Sequence, residues 1–298
     1  MISDMHASRI SCALYAAGLA FVISLTAMTN ARARSDISPQ PRRIVSINMC
    51  TDHLALQLAD RDHILSVTFS SADPGQSLIA DQVKGIELNG GHAEQIISLN
   101  PDLILSGTIT TSFTNRLLIG LGYNVVAIPF PENLEGVRRN IRLAARAIGV
   151  PERGEHLIQD LDKRLSQALA IKPRQEYSVL ILAAGGLTHG RQTLAGDLLA
   201  LAGFQNSATS MGIDTVANVS LETVLRTKPD VIVLSKAGRE THSLSSAWLE
   251  HPALKHYLNT HLAVDVPWSY IGCETPYLGE ALKRITSRLD SAAQHNAP

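Results

Sequence analysis

The chain has 298 residues, 45% of them hydrophobic, which is enough for two domains with cores of their own. The net charge is −1 and no run of like charge stands out, so nothing in the balance points to nucleic acid. Aromatic residues make up only 4%, with two tryptophans, Trp248 and Trp268, which also argues against a stacking surface for single strands.

The first segment has the pattern of an export signal. Arg9 precedes an uncharged apolar stretch from Ala13 to Leu25, and Ala31-Arg32-Ala33 is an A-x-A-type cleavage site. The expectation is a signal peptide over 1–33, cleaved after Ala33, and a mature protein in the periplasm. The uncharged run from Ile10 to Ala31 is also long enough to span a bilayer, so a retained anchor is the alternative. Cleavage would leave two cysteines, Cys50 and Cys273, in an oxidising compartment. Two are too few for a disulfide framework, and spacing alone does not pair them.

Downstream, strands alternate with helices. Arg43 to Ile47 is a first strand, and Thr51 or Asp52 is the expected cap of the helix that follows. Ile64 to Val67 is a second strand, followed by the polar loop Ser70 to Gln76. Further strands are expected at Leu103 to Leu105 and Val125 to Ile128. This alternation predicts an α/β fold with a parallel sheet covered on both faces. From Asn133 to Ile171 the apolar period becomes helical, as at Leu157, Leu161, Leu165 and Leu169. Gly149-Val150-Pro151 divides this stretch into two helices, the second about 20 residues and ~30 Å long. The expected organisation is an N-terminal lobe over 42–150, a connecting helix over 151–172 and a C-terminal lobe over 177–292. The second lobe opens with the strand Tyr177 to Leu182 and the glycine-bearing loop Ala184 to Gly190. Strands at Val231 to Leu234 and Leu262 to Val266 follow, and a closing helix starts at Leu278.

One segment occurs twice. Glu94, Pro101 and Asp102 recur at one common offset as Glu222, Pro229 and Asp230. Each copy reads as a short helix, a Pro-Asp turn and a buried strand. A repeat of this length marks two similar lobes rather than a solenoid, and two lobes leave a cleft between them.

Several of these segments, in this order, are similar to the periplasmic substrate-binding proteins of ABC importers for cobalamin and ferric siderophores. They are Arg43 to Ser46, both Glu…Pro-Asp copies, the long central helix, Asp197 to Asn206, and the loop from Trp268 to Pro276. The resemblance covers about Arg42 to Leu289. It implies two similar α/β lobes with parallel sheets flanked by helices, joined by one long connecting helix. It also implies a ligand cleft with limited closure, and Glu94 and Glu222 as surface carboxylates that arginines of a permease dimer in the inner membrane would bind. A glutamate in a helix's first turn also stabilises that helix by ~0.3–1 kcal/mol without any partner. The protein is expected to be a monomer.

Ligands in open parallel sheets bind beyond the carboxyl ends of the strands. That rule selects Cys50 and Thr51; Phe69 and Ser70; Gly107 and Thr108; Gly186, Thr188 and His189; Arg239; and Trp268, Tyr270 and Cys273. Trp268 and Tyr270 are the best single candidates, because aromatic surface is scarce and a large chelate needs apolar contact. For the cysteines, free thiols rank ahead of a cross-cleft disulfide or a thiolate pair on a soft metal, since two loop positions seldom meet the required Cα separation. His53, His92 and His189 are scattered, so no bare-metal site is expected, and no cofactor. A ferric siderophore is placed slightly ahead of cobalamin, with haem as a further member of the class. The rival class is an enzyme with Cys50 as nucleophile, for which only His189 could serve as base. No Gly-x-Ser-x-Gly elbow or phosphate loop supports it.

Overall fold

The computed structural model describes residues 40–173, 175–235, 244–273 and 275–295. The expected signal peptide and the expected cleft residue Arg239 lie outside them.

The first lobe runs β1 (Ile44–Ser46), α1 (Met49–Leu58), β2 (Ile64–Thr68), β3 (Glu87–Asn89), α2 (Ala93–Ser98), β4 (Leu103–Gly107), α3 (Ser112–Gly120) and β5 (Val125–Ile128). Its five strands lie in the order β3-β2-β1-β4-β5, every pair parallel. Ile44, Val45, Leu103, Ile104 and Leu105 are all fully buried. Helices cover both faces, which is why these strands read as unbroken apolar runs. The short strand β3 carries no such run and is absent from the sequence reading.

Two helices follow, α4 (Leu134–Ile148) and α5 (Pro151–Leu169). Gly149, in the left-handed region at φ 84°, ends α4, and Pro151 opens α5. The helices touch closely: a Cβ on Gly154 would lie 2.6 Å from the Cβ of Ala145.

The second lobe comprises β6 (Ser178–Ala183), β7 (Leu187–His189), α6 (Leu194–Leu201), β8 (Gln205–Asn206), α7 (Ser207–Ser210), β9 (Val216–Asn218), α8 (Leu221–Thr227), β10 (Val231–Ser235), α9 (Leu244–Leu249), α10 (Pro252–Thr260), β11 (Leu262–Asp265) and α11 (Leu278–His295). Its parallel sheet has the order β11-β10-β6-β8. The stretch expected as a glycine loop instead forms β7, which pairs antiparallel with β9. Three residues are too few for sequence alternation to register a strand.

The doubled segment has one structural meaning in both lobes. Asn100 and Lys228, the residues before each Pro-Asp, share the left-handed backbone at φ 45° and 51°. The carboxylate of Asp102 accepts the backbone N–H groups of Arg42 and Arg43 at 2.8 and 2.9 Å. That of Asp230 accepts the Ser178 N–H at 2.8 Å and its hydroxyl at 2.7 Å. Each aspartate thus fastens the end of its helix-turn-strand to the start of the lobe's first strand. Asp102→Ala and Asp230→Ala should each cost about 1–2 kcal/mol in urea unfolding. Wild-type stability in both would remove this role.

One hydrophobic core runs through both lobes and the helices between them. It joins Ile44 and Leu105 to Ile141 and Leu161, and these to Ile181, Val233 and Leu282. Asp197 on α6 also accepts the Leu134 N–H at the start of α4, at 3.0 Å. Bending one lobe against the other would have to shear this packed interior, so large closure is disfavoured.

Candidate ligand cleft

In the first sheet the chain direction of the crossovers reverses between β1 and β4, and at such a point the loops part to leave a crevice. A cavity of about 220 Å³ lies there. Asn48 to Thr51 line it after β1, Gly107 to Thr110 after β4, and Ile128 to Pro131 after β5; Trp268 and Gly272 close it from the second lobe. None of these lining residues is charged.

Asn48 organises the floor. It, rather than Thr51 or Asp52, caps α1: its Oδ1 accepts the N–H of Cys50 at 3.0 Å and of Thr51 at 3.4 Å. Its Nδ2 donates to Thr110 Oγ1 at 2.9 Å, tying the β1 and β4 loops together. Gly107 is placed where a Cβ would meet that amide at 3.1 Å. Thr51 is buried, its hydroxyl 2.7 Å from that of Ser46, so it supports the floor from beneath.

The early cap shifts Cys50 from a loop into the first turn of α1, and this overturns the expectation of free thiols. Cys50 and Cys273 form a disulfide with a Cα separation of 4.9 Å, inside the ~4.4–6.8 Å that such bonds need. The bond joins the first lobe to the second. It also removes the nucleophile from the rival enzyme reading, because Cys50 has no free thiol.

Trp268 is the main contribution of the second lobe. Its ring stacks on Phe130 of the first lobe, centroids 6.1 Å apart and planes within 10°. His189 lies behind it at 5.0 Å. Phe130, flanked by Pro129 and Pro131, was missed in the sequence; the rule that found the other loops also covers the carboxyl end of β5. Further apolar surface crowns the same edge of the first sheet. Phe69, Ile109, Phe113 and Phe130 are 63, 71, 75 and 40% exposed.

Of the expected site residues, Cys50, Thr51, Gly107, Thr108 and Trp268 border the cavity. The others do not. Phe69 and Ser70 form a 3-10 turn after β2. Gly186 is buried at φ 74°, with Val219 O and the Trp248 ring where a Cβ would stand. The Thr188 hydroxyl is spent on Ile181 O at 2.7 Å. Tyr270 turns toward α11, where the Arg284 guanidinium lies 4.7 Å over its ring and donates to its hydroxyl at 3.2 Å. Cys273 is wholly buried behind Gly272.

A model of the periplasmic binding proteins matches residues 44–257. The chain belongs to that family. It is therefore a solute-binding protein and not an enzyme. A vitamin B12-binding protein of Photorhabdus laumondii is 24% identical over 226 residues, covering 72% of this chain and 78% of its own. A cobalamin-binding protein of Halobacterium salinarum is 22% identical over 263 residues, covering 84% and 70%. Among solved structures, the periplasmic heme-binding protein RhuT of Roseiflexus superposes with a TM-score of 0.69 at 24% identity, over 85% of this chain and 99% of that one. The vitamin B12-binding protein BtuF of Vibrio cholerae does so with 0.61 at 19%, over 86% and 99%. These likenesses carry the two-lobed α/β fold of such binding proteins.

Asp52 and His53 on α1 and His189 behind Trp268 are buried titratable side chains that do not line the cavity. Asp52 accepts from Thr68 N at 3.0 Å, Thr68 Oγ1 at 2.5 Å and Ser71 Oγ at 2.6 Å. Burial nevertheless pushes its pKa up to about 6, against those hydrogen bonds. Burial also lowers His53 and His189 to about 4. All three are therefore held by packing in an environment that opposes charge. Among the described residues, no three His, Cys, Asp or Glu side chains converge to hold a bare ion.

Glu94 and Glu222 stand exposed in the first turns of α2 and α8, one on each lobe. Glu222 is held below the usual carboxylate range by N–H and Ser220 hydrogen bonds at the cap of α8. Among the described residues, no helix is long and apolar enough to cross a membrane.

Proposed function

We propose that this chain is the solute-binding component of an ABC importer for a neutral metal chelate, best matched by a corrinoid such as cobalamin. The observation that carries this reading is the uncharged cavity lining, which offers one carboxamide, threonine hydroxyls and an aromatic pair. A corrin ring with carboxamide arms asks for apolar faces and neutral hydrogen-bond partners. Haem carboxylates and acidic siderophores ask for cations, and none lines the cavity among the described residues. This reverses the order expected from sequence, where the low aromatic count favoured a siderophore: two rings placed face to face across the cleft serve better than many scattered ones. At about 220 Å³ the cavity is smaller than the ~300–1,000 Å³ that encloses a drug-sized ligand. Only part of a macrocycle would enter it, with the remainder lying against the apolar rim of Phe69, Ile109 and Phe113. The names of the curated relatives support the same choice.

Quenching of tryptophan fluorescence tests it, with cyanocobalamin, a hydroxamate ferric siderophore and haem titrated in parallel. Tight binding of cyanocobalamin alone is expected. Preference for the siderophore or haem would replace the corrinoid.

Delivery would use the matched carboxylates. Glu94 and Glu222 are the surface pair that arginines on two permease subunits would grip, with the shared core keeping their spacing constant. The Glu94→Gln/Glu222→Gln double variant should keep its affinity for ligand and lose more than tenfold in uptake. Normal uptake by that variant would place docking elsewhere.

A further inference from the structure

The cleft is crossed at its floor by a covalent bond whose effect extends to the aromatic wall above it. Cys273 is fully buried, and the next residue toward the cavity, Gly272, has no space for a side chain. A Cβ there would lie 2.2 Å from carbons of the Trp268 indole. The ring therefore rests on the backbone that the disulfide holds. The backbone hydrogen bonds shaping this loop are internal to it, from Tyr270 N to Pro267 O and from Ile271 N and Gly272 N to Trp268 O, and Arg284 of the same lobe holds the Tyr270 hydroxyl. Ile271 anchors the loop in the core. Toward the first lobe, the Cys50–Cys273 bond and the stack of Trp268 on Phe130 are the ties that fix its direction.

We propose that the Cys50–Cys273 disulfide is a clasp that positions Trp268 against Phe130 and fixes the width of the cleft. The receptor then works with its lobes fastened, and the ligand seats in a preformed site. Cutting the bond leaves the fold standing on its shared core but frees the Trp268 loop from the first lobe. Access to the bond follows from burial. Cys50 is partly exposed and lines the cavity, whereas Cys273 is closed off, so a reductant reaches the bond through the cleft. A dithiol would attack Cys50 Sγ and displace the Cys273 sulfur, which takes up a proton. Its second thiol would then release Cys50 as a thiol. The protein gains two electrons and two protons, and the reductant leaves as its cyclic disulfide. A ligand filling the cavity would shield this route, a consequence that rests on the corrinoid reading.

The test compares oxidised protein, dithiothreitol-reduced protein and the Cys50→Ser/Cys273→Ser variant, each in a Trp248→Phe background so that Trp268 alone reports. Thiol titration should count none of these cysteines as free before reduction and both after it. On reduction, Trp268 emission should shift to the red and its anisotropy should fall, with circular dichroism unchanged. The Kd for cyanocobalamin should rise at least tenfold, and bound cyanocobalamin should slow reduction. Free thiols in the protein as purified, an unchanged Trp268 signal after reduction, or unfolding on reduction would each overturn the clasp. If the serine variant does not fold, the reduced wild-type chain still decides. If the oxidised protein ignores cyanocobalamin, the ligand reading falls, and the Trp268 signal tests the clasp without it.

Discussion

Replacing Trp268 with alanine will raise the Kd for cyanocobalamin by about 30- to 150-fold, or about 2–3 kcal/mol, and leave the fold intact. The residue has the attributes of a hot spot. It is a large ring at the meeting of two lobes, half-buried, stacked on Phe130 and backed by His189. Truncation removes its own contact area and also the wall that keeps Phe130 turned toward the ligand. Trp268→Phe should recover much of the loss, because a flat apolar face is retained. Isothermal titration with a circular dichroism control is the measurement. An Ala variant that binds as the wild type would show that the ligand sits elsewhere.

The second large effect is on acid stability. His53 and His189 have folded pKa values of about 4, below the 6.5 of an exposed imidazole. Above pH 6.5 both states are neutral and stability is complete. As the pH falls from 6.5 toward 4 the unfolded chain takes up protons that the folded chain refuses, and each histidine removes about 3 kcal/mol. Asp52 works in the opposite sense. Its folded pKa of about 6 lies above 3.8, so acidification through this window returns about 2 kcal/mol, because the buried carboxyl takes up its proton while the unfolded one is still largely ionised. The net expectation is a loss of about 3–4 kcal/mol between pH 6.5 and 4, a large part of the ~5–15 kcal/mol typical of a folded protein. Urea midpoints across this range measure it. The His53→Gln/His189→Gln variant should reverse the slope, gaining stability as the pH falls to ~4.5 through Asp52 alone, whereas Asp52→Asn should steepen the wild-type loss. A wild-type curve that is flat from pH 6.5 to 4 would contradict the burial of the two imidazoles.

Much of the architecture was legible because its signals are local or periodic. Alternation of short apolar runs with helical periods marks βαβ units wherever strands are buried on both faces, as at Ile44–Ser46 and Leu103–Gly107. The repeat was visible because each lobe solves the same problem, fastening a strand with the aspartate of a Pro-Asp turn. The strands β3, β7 and β9 were not legible. Each has three residues, and each exists only because a neighbour offers its edge.

The site was half legible. The strand-end rule selected Cys50, Thr51, Gly107, Thr108 and Trp268, because chain direction follows from a parallel topology. The same reasoning could not say which loops face the crevice. Thr188 satisfies its hydroxyl on its own strand, and Tyr270 turns away to Arg284. Those choices depend on what stands across the lobe.

What the sequence determined by itself was the class: two α/β lobes, a stiff connection, and a matched pair of surface glutamates. Local patterning suffices for these. The tertiary structure alone decided that Asn48 caps α1, that this cap turns Cys50 toward Cys273, and that Phe130 meets Trp268 across the cleft. Cys50 and Cys273 are 223 residues apart, and only the packing of two lobes on one core brings them within bonding distance.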